Sequence, residues 1–336
     1  MRQVWLTKHG PPEVFAVRKA DDPSPGPGEV RIRVRAAGVN FADLLARMGL
    51  YGDAPPPPCV LGFEVAGVID DAGDGVTDLR KGDRVFAMPR FGGYTDVLTI
   101  PRRYVTTMPS AMSFEEAAAF PTAYLAAHHV MFVLGTLPQG STVLVHSAAG
   151  GVGVAAIQLA RTRGCRILGT ASPSKHEFLR SQGCDHPLDY VDWPSRVRQL
   201  VKRDGVQLVI DSVGGRSWTD SYDILAPGGR LVCLGASTNV TGTRRSLVAV
   251  ARFFSTMPRF SPLKLMNDNK QVSGFNMRRQ FEHVEVFRPE LAALLALYES
   301  GQIKPHVDRS FSLEAVAAAH HWLHERKAKG KVLLAP

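Results

Sequence analysis

Residues 141–153 read Ser-Thr-Val-Leu-Val-His-Ser-Ala-Ala-Gly-Gly-Val-Gly. The apolar, β-branched run from Ser141 to Ser147 predicts a buried strand, and Val152 to Arg163 shows helical spacing. Strand, glycine loop and helix in that order form an arrangement suited to a dinucleotide pyrophosphate. Gly150 lets the backbone approach a phosphate, and Gly153 lets the helix pack closely on the sheet. The helix N-terminus offers free N–H groups and the positive end of its dipole. The strict G-x-G-x-x-G pattern is not met, because Ala148 holds the first glycine position; alanine can make that turn if φ stays negative. Ala149, Gly150, Gly151 and Val152 are the expected cofactor-binding residues of this loop.

Outward from the loop, strands and helices alternate. Arg166–Ala171, Val206–Asp211 and Arg230–Gly235 read as strands, and Lys175–Gln182 as a helix. This is the pattern of a doubly wound parallel sheet of Rossmann type with helices on both faces. The second strand ends Gly169-Thr-Ala-Ser-Pro-Ser-Lys175, with no acid to bind a ribose 2′-OH. Ser172 and Lys175 instead offer a hydroxyl and a cation, which suit a 2′-phosphate. NADPH is therefore the expected cofactor, with NADH as the alternative.

The first 110 residues have a different texture. Val30–Ala36 alternates apolar and charged residues, Val65–Ile69 is apolar and β-rich, and Gly/Pro turns separate them, which suggests a small barrel. Pro55 to Pro58 reads as stiff polyproline II. Beyond about residue 262 come a strand near Gln271–Phe275, a long helix around Pro289–Ser300, a helix over Phe311–Lys327 and a last strand Lys331–Leu334. The expected organisation is 1–121 for the first part of a β-rich catalytic domain, 122–262 for the nucleotide domain, and 263–336 for the return to the catalytic domain.

The chain has 336 residues, 45% apolar and 21% charged, enough to bury a large core without disulfides. Basic residues exceed acidic ones by 40 to 31, a net +9, and 29 of the 40 are Arg. This balance suits polyanionic partners, or is a solvated basic face. Cys59, Cys165, Cys184 and Cys233 form no C-x-x-C pair, which argues against a zinc lobe or redox dithiol and suits a reducing cytoplasm. Met1–Gly10 does not read as a secretory leader. The most apolar window, Ala117–Leu134, is interrupted by Pro121, Thr122, His128 and His129, so no membrane span is expected.

Four stretches carry a resemblance: Gly38-Val-Asn-Phe-Ala-Asp-Leu-Leu-Ala-Arg-Met-Gly-Leu-Tyr51, Leu61-Gly-Phe-Glu-Val-Ala-Gly67, Gly82-Asp-Arg-Val85 and Ala148–Gly153. Over nearly its whole length the chain resembles the medium-chain dehydrogenase/reductases of the quinone oxidoreductase group. Ser172-Pro-Ser-Lys-His-Glu177, Val272-Ser-Gly-Phe275, Ile303-Lys-Pro-His306 and Gly330-Lys-Val-Leu-Leu334 are similar to the VAT-1 homologues within it. The resemblance implies a GroES-like catalytic domain beside the Rossmann domain. It also implies a homodimer that pairs the last strands of two nucleotide domains.

Zinc members of this family place a Cys ligand where this chain has Asn40, and their G-H-E reads Gly62-Phe63-Glu64 here. An amide and a phenyl ring do not hold zinc, so no metal is expected and Glu64 is read as structural. The implied reaction is hydride delivery to an activated C=C bond, as in quinones and enones. An enoyl-CoA thioester is the alternative substrate, and a VAT-1-like lipid- or membrane-associated binding protein the alternative of another class. By resemblance, Asn40 orients the nicotinamide or polarises the carbonyl, and Tyr51 or water supplies the proton. Thr122 and Phe275 lie near the nicotinamide and Tyr190 beside the 2′-phosphate. Ser212, Val213, Leu234, Gly235 and Ala236 line the cofactor cleft.

Other residues are read without such roles. His128-His129 and His320-His321 are adjacent pairs, which point about 100° apart on a helix and do not chelate. His146 is a core residue of the first strand. Arg244, Arg245, Arg252, Arg259, Arg278 and Arg279 form either a solvated face or a cradle for coenzyme A phosphates. No nucleic-acid module is present.

Overall fold

The computed structural model describes residues 1–237, 242–243 and 246–336; the side chains of residues 247, 249, 250, 252, 278 and 280–283 lie outside that description. Its central feature is a six-stranded parallel sheet. Thr142–Val145 lies in the middle, with Arg166–Thr170 and then His186–Leu188 on one side. On the other side follow Val206–Asp211, Leu225–Cys233 and Gln271–Gly274. Val143 and Leu144 point to opposite faces, and both are fully buried. Such burial on both faces explains why the strand reads as a continuous apolar run. The strand order reverses direction at Thr142–Val145, the switch point at which such sheets open a ligand crevice. Gln271–Gly274 belongs to this sheet, so the nucleotide unit extends past residue 262.

The second unit is built around Glu29–Val39, which pairs with Val65–Ala72, Val97–Pro101 and the C-terminal strand Lys331–Ala335, all antiparallel. Val307–Ser312 adds to the C-terminal strand in parallel. The helix expected from Phe311 therefore starts later: the strand runs to Ser312, and the helix covers Val316–His324. The proline run is not continuous polyproline II, because the Pro57–Pro58 peptide is cis. The helix Phe41–Arg47, absent from the sequence reading, follows directly on the central strand.

The apolar window 117–134 forms buried helices, Phe114–Ala119 and Pro121–His128, widening into a π-helical turn over His129–Leu134. The His128 and His129 rings are both held by the protein itself. The two rings meet one partner: His128 Nδ1 lies 2.7 Å from Glu290 Oε2 and His129 Nδ1 lies 2.8 Å from Glu290 Oε1. A carboxylate has two oxygens, so it can receive two side chains that diverge. Glu290, buried in the helix Arg288–Glu299, thereby fastens that helix to the 121–134 segment. His320 and His321 do diverge: His320 meets the Tyr94 hydroxyl at 3.3 Å, and His321 meets Glu13 at 2.6 Å. His146 is buried between Thr170 and Ser221, a satisfied core residue as read. Among the described residues no helix is long and apolar enough to cross a membrane.

Burial works against the Glu290 carboxylate, and the hydrogen bonds from both histidines outweigh it, so its pKa lies below the ordinary 4.5. Its contribution to stability is present above that ordinary value and is lost as the pH falls through the lowered one. Glu290→Ala leaves two inward imidazoles without their acceptor and should destabilise the protein by about 1–3 kcal/mol. Urea unfolding at neutral pH measures this; an unchanged midpoint would contradict the role given to Glu290.

Candidate functional site

The two units meet at Glu64. Its position follows from register: Ala37 pairs with Val65, so Glu64 stands opposite Gly38, whose N–H donates to the Glu64 carbonyl at 3.0 Å. A Cβ on Gly38 would overlap the Glu64 carboxylate, so glycine is required there. On the other side of the central strand, Val332 pairs with Val39, and one residue further Lys331 faces Asn40. The wholly buried Glu64 carboxylate collects three donors. Asn40 Nδ2 and Lys331 Nζ reach Oε1 at 2.8 and 2.7 Å, and the Thr122 backbone N–H reaches Oε2 at 3.0 Å. Lys331 Nζ also donates to Asn40 Oδ1 at 2.7 Å and to the Val39 carbonyl at 3.2 Å. Reading Glu64 as structural understated it: it joins the barrel, the C-terminal strand and the first helix of the nucleotide unit.

Asn40 precedes the helix Phe41–Arg47, and Asp43 Oδ2 accepts its backbone N–H at 2.8 Å. Asp43 is wholly buried and also accepts from the Gly62 N–H at 3.1 Å; burial pushes its pKa up to about 7. Phe63 packs its ring 5.1 Å from Phe91 and 6.2 Å from Tyr51, centre to centre. The Tyr51 hydroxyl lies 3.5 Å from Asn276 Oδ1, just beyond the last strand of the nucleotide sheet, so Tyr51 spans from barrel to nucleotide unit.

These residues do not fit zinc. The Asn40 amide oxygen faces an ammonium group, Phe63 has no donor atom, and Glu64 is already paired with a cation that would repel Zn²⁺. The purified protein should contain no stoichiometric zinc by elemental analysis, and chelator should leave its melting temperature unchanged. One zinc per chain, with a lower melting temperature after chelation, would contradict this assignment.

The glycine loop has the form a dinucleotide needs. The left-handed conformation that the turn requires falls on Ser147, φ 52°, so Ala148 is spared it. Gly150 caps the helix Gly151–Thr162 in extended conformation, and the first helical bond runs from Val154 N to Gly150 O at 2.8 Å. The N–H groups of Gly151 and Val152 precede that bond and take no intrahelical partner. A Cβ at Gly153 would lie 2.5 Å from the Ala148 carbonyl, and one at Gly151 would lie 2.6 Å from Lys331 Cδ. The loop is also tied to the barrel: Gly330 N donates to Ala149 O at 2.7 Å.

Two expected cofactor residues, Thr122 and Ser212, bury hydroxyls that have no hydrogen-bond partner. Ser212 follows strand Val206–Asp211, and buried Asp211 shapes that turn by accepting from Val213 N at 2.8 Å and Gly214 N at 3.1 Å. Gly235 passes close by, where a Cβ would lie 3.2 Å from Ser212 O; Ala236 packs on Gly214, and Leu234 N donates to Asp211 O. Phe275 stacks on His129 at 4.8 Å. The loop, both orphaned hydroxyls and the 234–236 segment thus converge at the carboxyl ends of the central strands. They fit a nicotinamide dinucleotide.

At the far corner, Ser172 is half-buried and Tyr190 is exposed. The Lys175 ammonium donates to the carbonyls of Arg326 and Ala328, both at 2.6 Å. It keeps one N–H for a phosphate and holds the 326–328 turn, where Arg326 sits at φ 55°. Arg326 lies close enough to both Lys175 and Tyr190 to perturb their titration. Sequence reading missed it, because Lys175 and Arg326 are 151 positions apart and meet only in the fold. Lys331 was missed for the same reason, quoted only as part of Gly330-Lys-Val-Leu-Leu334. Among the arginines read as a charge cluster, Arg244 and Arg245 lie outside the described residues, as do the side chains of Arg252 and Arg278. Arg259 is exposed, and exposed Arg279 lies 3.7 Å from Asp53.

Two family models match the chain: an alcohol dehydrogenase GroES-like domain over residues 26–125 and a zinc-binding dehydrogenase domain over residues 182–334. The human synaptic vesicle membrane protein VAT-1 homolog is 43% identical over 322 residues, covering 95% of this chain and 82% of that protein. A quinone oxidoreductase of Pseudomonas aeruginosa is 33% identical over 340 residues, covering 100% of this chain and 99% of that one. The crystal structure of Escherichia coli quinone oxidoreductase complexed with NADPH superposes with a TM-score of 0.87 at 29% identity, covering both chains fully. With Asn40, Phe63 and a Lys331–Glu64 pair where zinc enzymes build their metal site, the chain belongs to the zinc-independent, quinone oxidoreductase-like medium-chain dehydrogenase/reductases, close to the VAT-1 homologues.

Proposed function

We propose that this protein is an NADPH-dependent reductase of the C=C bond of quinones or α,β-unsaturated carbonyls. The observation that carries the reading is the pair of buried, unpartnered hydroxyls of Thr122 and Ser212 beside the open glycine loop, a short way from a metal-free amide at Asn40. Bound NADPH supplies the hydride. The N–H groups of Gly151 and Val152, beside Ala149 and Gly150, bind the pyrophosphate at the positive end of the helix dipole. Ser172, Lys175 and Tyr190 receive the 2′-phosphate. Thr122, Ser212, Val213, Leu234, Gly235, Ala236 and Phe275 form the nicotinamide end of the cleft.

Hydride arriving at the β-carbon sends the C=C electron pair toward the carbonyl, and negative charge builds on its oxygen. Asn40 donates its remaining amide N–H to that oxygen, which stabilises the charge without a Lewis acid. Tyr51, or water, returns one proton, so each turnover consumes one hydride and one proton. The exposed outer edge of Gln271–Gly274 would form the homodimer, and a cytoplasmic location accords with four free thiols.

A panel of NADPH with quinones, enones and enoyl-CoA thioesters tests the reading. Turnover of quinone or enone supports it, turnover confined to thioesters moves the substrate class to acyl-CoA, and no turnover with any acceptor contradicts an enzymatic role. Lys175→Ala removes a charge-assisted bond to the 2′-phosphate, about 1.5–3 kcal/mol, so NADPH should bind about tenfold or more weakly. NADH affinity should hardly change. Tighter binding of NADH than NADPH by the unaltered protein would overturn the cofactor assignment.

A further inference from the structure

We infer that Lys331 is a positioning residue for the reduction: it sets which way the Asn40 amide faces and couples that amide to the dinucleotide loop. The inference rests on the role proposed above for Asn40 as hydrogen-bond donor. An asparagine amide has two faces of opposite character, and which one meets a ligand depends on its neighbours. Here both neighbours are charged and opposite. Lys331 Nζ, which can only donate, lies 2.7 Å from one terminal atom of Asn40; Glu64 Oε1, which as a carboxylate can only accept, lies 2.8 Å from the other. The flipped amide would set donor against donor and oxygen against oxygen. Only one orientation survives, with oxygen on Lys331 and NH₂ on Glu64. One hydrogen of that NH₂ remains, so Asn40 presents a donor to the cleft and never an acceptor.

Lys331 itself does not reach the substrate. Its ammonium has three N–H bonds and three acceptors, the Val39 carbonyl, Asn40 Oδ1 and Glu64 Oε1, and the side chain is buried. It therefore acts through Asn40. Its stem passes the glycine loop so closely that a Cβ on Gly151 would come within 2.6 Å of Cδ. The preceding Gly330 bridges Gly150 and donates to Ala149 O. One residue thus touches both the loop expected to hold the cofactor phosphates and the amide expected to hold the substrate oxygen. Glu64 completes the link through the Thr122 N–H.

Lys331→Met tests this, since methionine keeps much of the apolar stem against Gly151 and removes the ammonium. With an enone, kcat should fall by roughly one hundredfold, the order seen when a donor to a developing oxyanion is removed. NADPH affinity, read by fluorescence titration, should stay within about threefold, because the phosphate-binding N–H groups remain. The loss should be smaller with a strongly activated quinone, whose developing charge is already delocalised and needs Asn40 less; a generally weakened fold would not separate the two acceptors. Lys331→Arg, which retains a donor, should recover most of the enone activity. Should the methionine variant not fold, the double variant Lys331→Met/Glu64→Gln replaces it: it removes both buried charges together, keeps an acceptor for the Thr122 N–H and leaves Asn40 no charged neighbour to dictate its orientation, and the same enone-selective loss is expected. Wild-type enone kcat in a folded Lys331→Met or, failing that, in the double variant would overturn the inference. So would equal losses with both acceptors accompanied by lost NADPH binding. An unaltered protein that binds no NADPH and turns over no acceptor would instead defeat the underlying reading of the function.

Discussion

The buried ion pair between Lys331 and Glu64, 2.7 Å apart, is the contact on which the arrangement of the cleft depends. A buried pair contributes little net stability, because the desolvation of both ions offsets their attraction. Its consequence is geometric. Once both charges are buried, each must satisfy its remaining hydrogen-bonding capacity, and they do so with Asn40, the Val39 carbonyl and the Thr122 N–H. Three segments far apart in the chain are thereby held at one point: the end of the barrel's central strand, the first helix of the nucleotide unit, and the C-terminal strand.

The same pair accounts for the sequence's departure from the zinc enzymes of its family. A site that holds Zn²⁺ needs soft or anionic ligands converging on a central cation. In this chain an ammonium group takes up the neighbouring carboxylate, and an amide takes the place of a thiolate. The positive charge is retained but belongs to the protein, and it is fully coordinated. What remains for a ligand is a single oriented N–H. Under the proposed function, that N–H serves a substrate that carries its own electron sink, as the carbonyl of an enone or quinone does, rather than one whose oxygen must be polarised from outside.

Much of this was legible before any coordinates. Residues 141–153 predicted strand, loop and helix, and these form as Thr142–Val145 and Gly151–Thr162. Asn40 and Phe63 argued against a metal. Other features were not legible. Periodicity carried the helix from Phe311, but pairing with Lys331–Ala335 draws Val307–Ser312 into the sheet, where tertiary hydrogen bonds override local propensity. Nor does the sequence show that His128 and His129 both meet buried Glu290, more than 160 residues away. The sequence offers Lys175 with Ser172 for a 2′-phosphate but does not show that Lys175 also holds the 326–328 turn.

By itself the sequence determined the dinucleotide-type α/β unit, the β-rich second unit and the loss of zinc ligands. Each of these depends on residues close together in the chain: apolar periodicity, glycine spacing, or the identity of one side chain in a recognisable stretch. Only the tertiary structure decided what Lys331 and Glu64 do. Lys331 and Glu64 are 267 residues apart, and their meeting requires the register of two strand pairings on either side of Glu29–Val39. A lysine at the start of an apolar strand looks in sequence like a surface residue. It becomes the buried partner of a carboxylate only because the last strand pairs with Glu29–Val39, where desolvation forces every charge to find its counterpart.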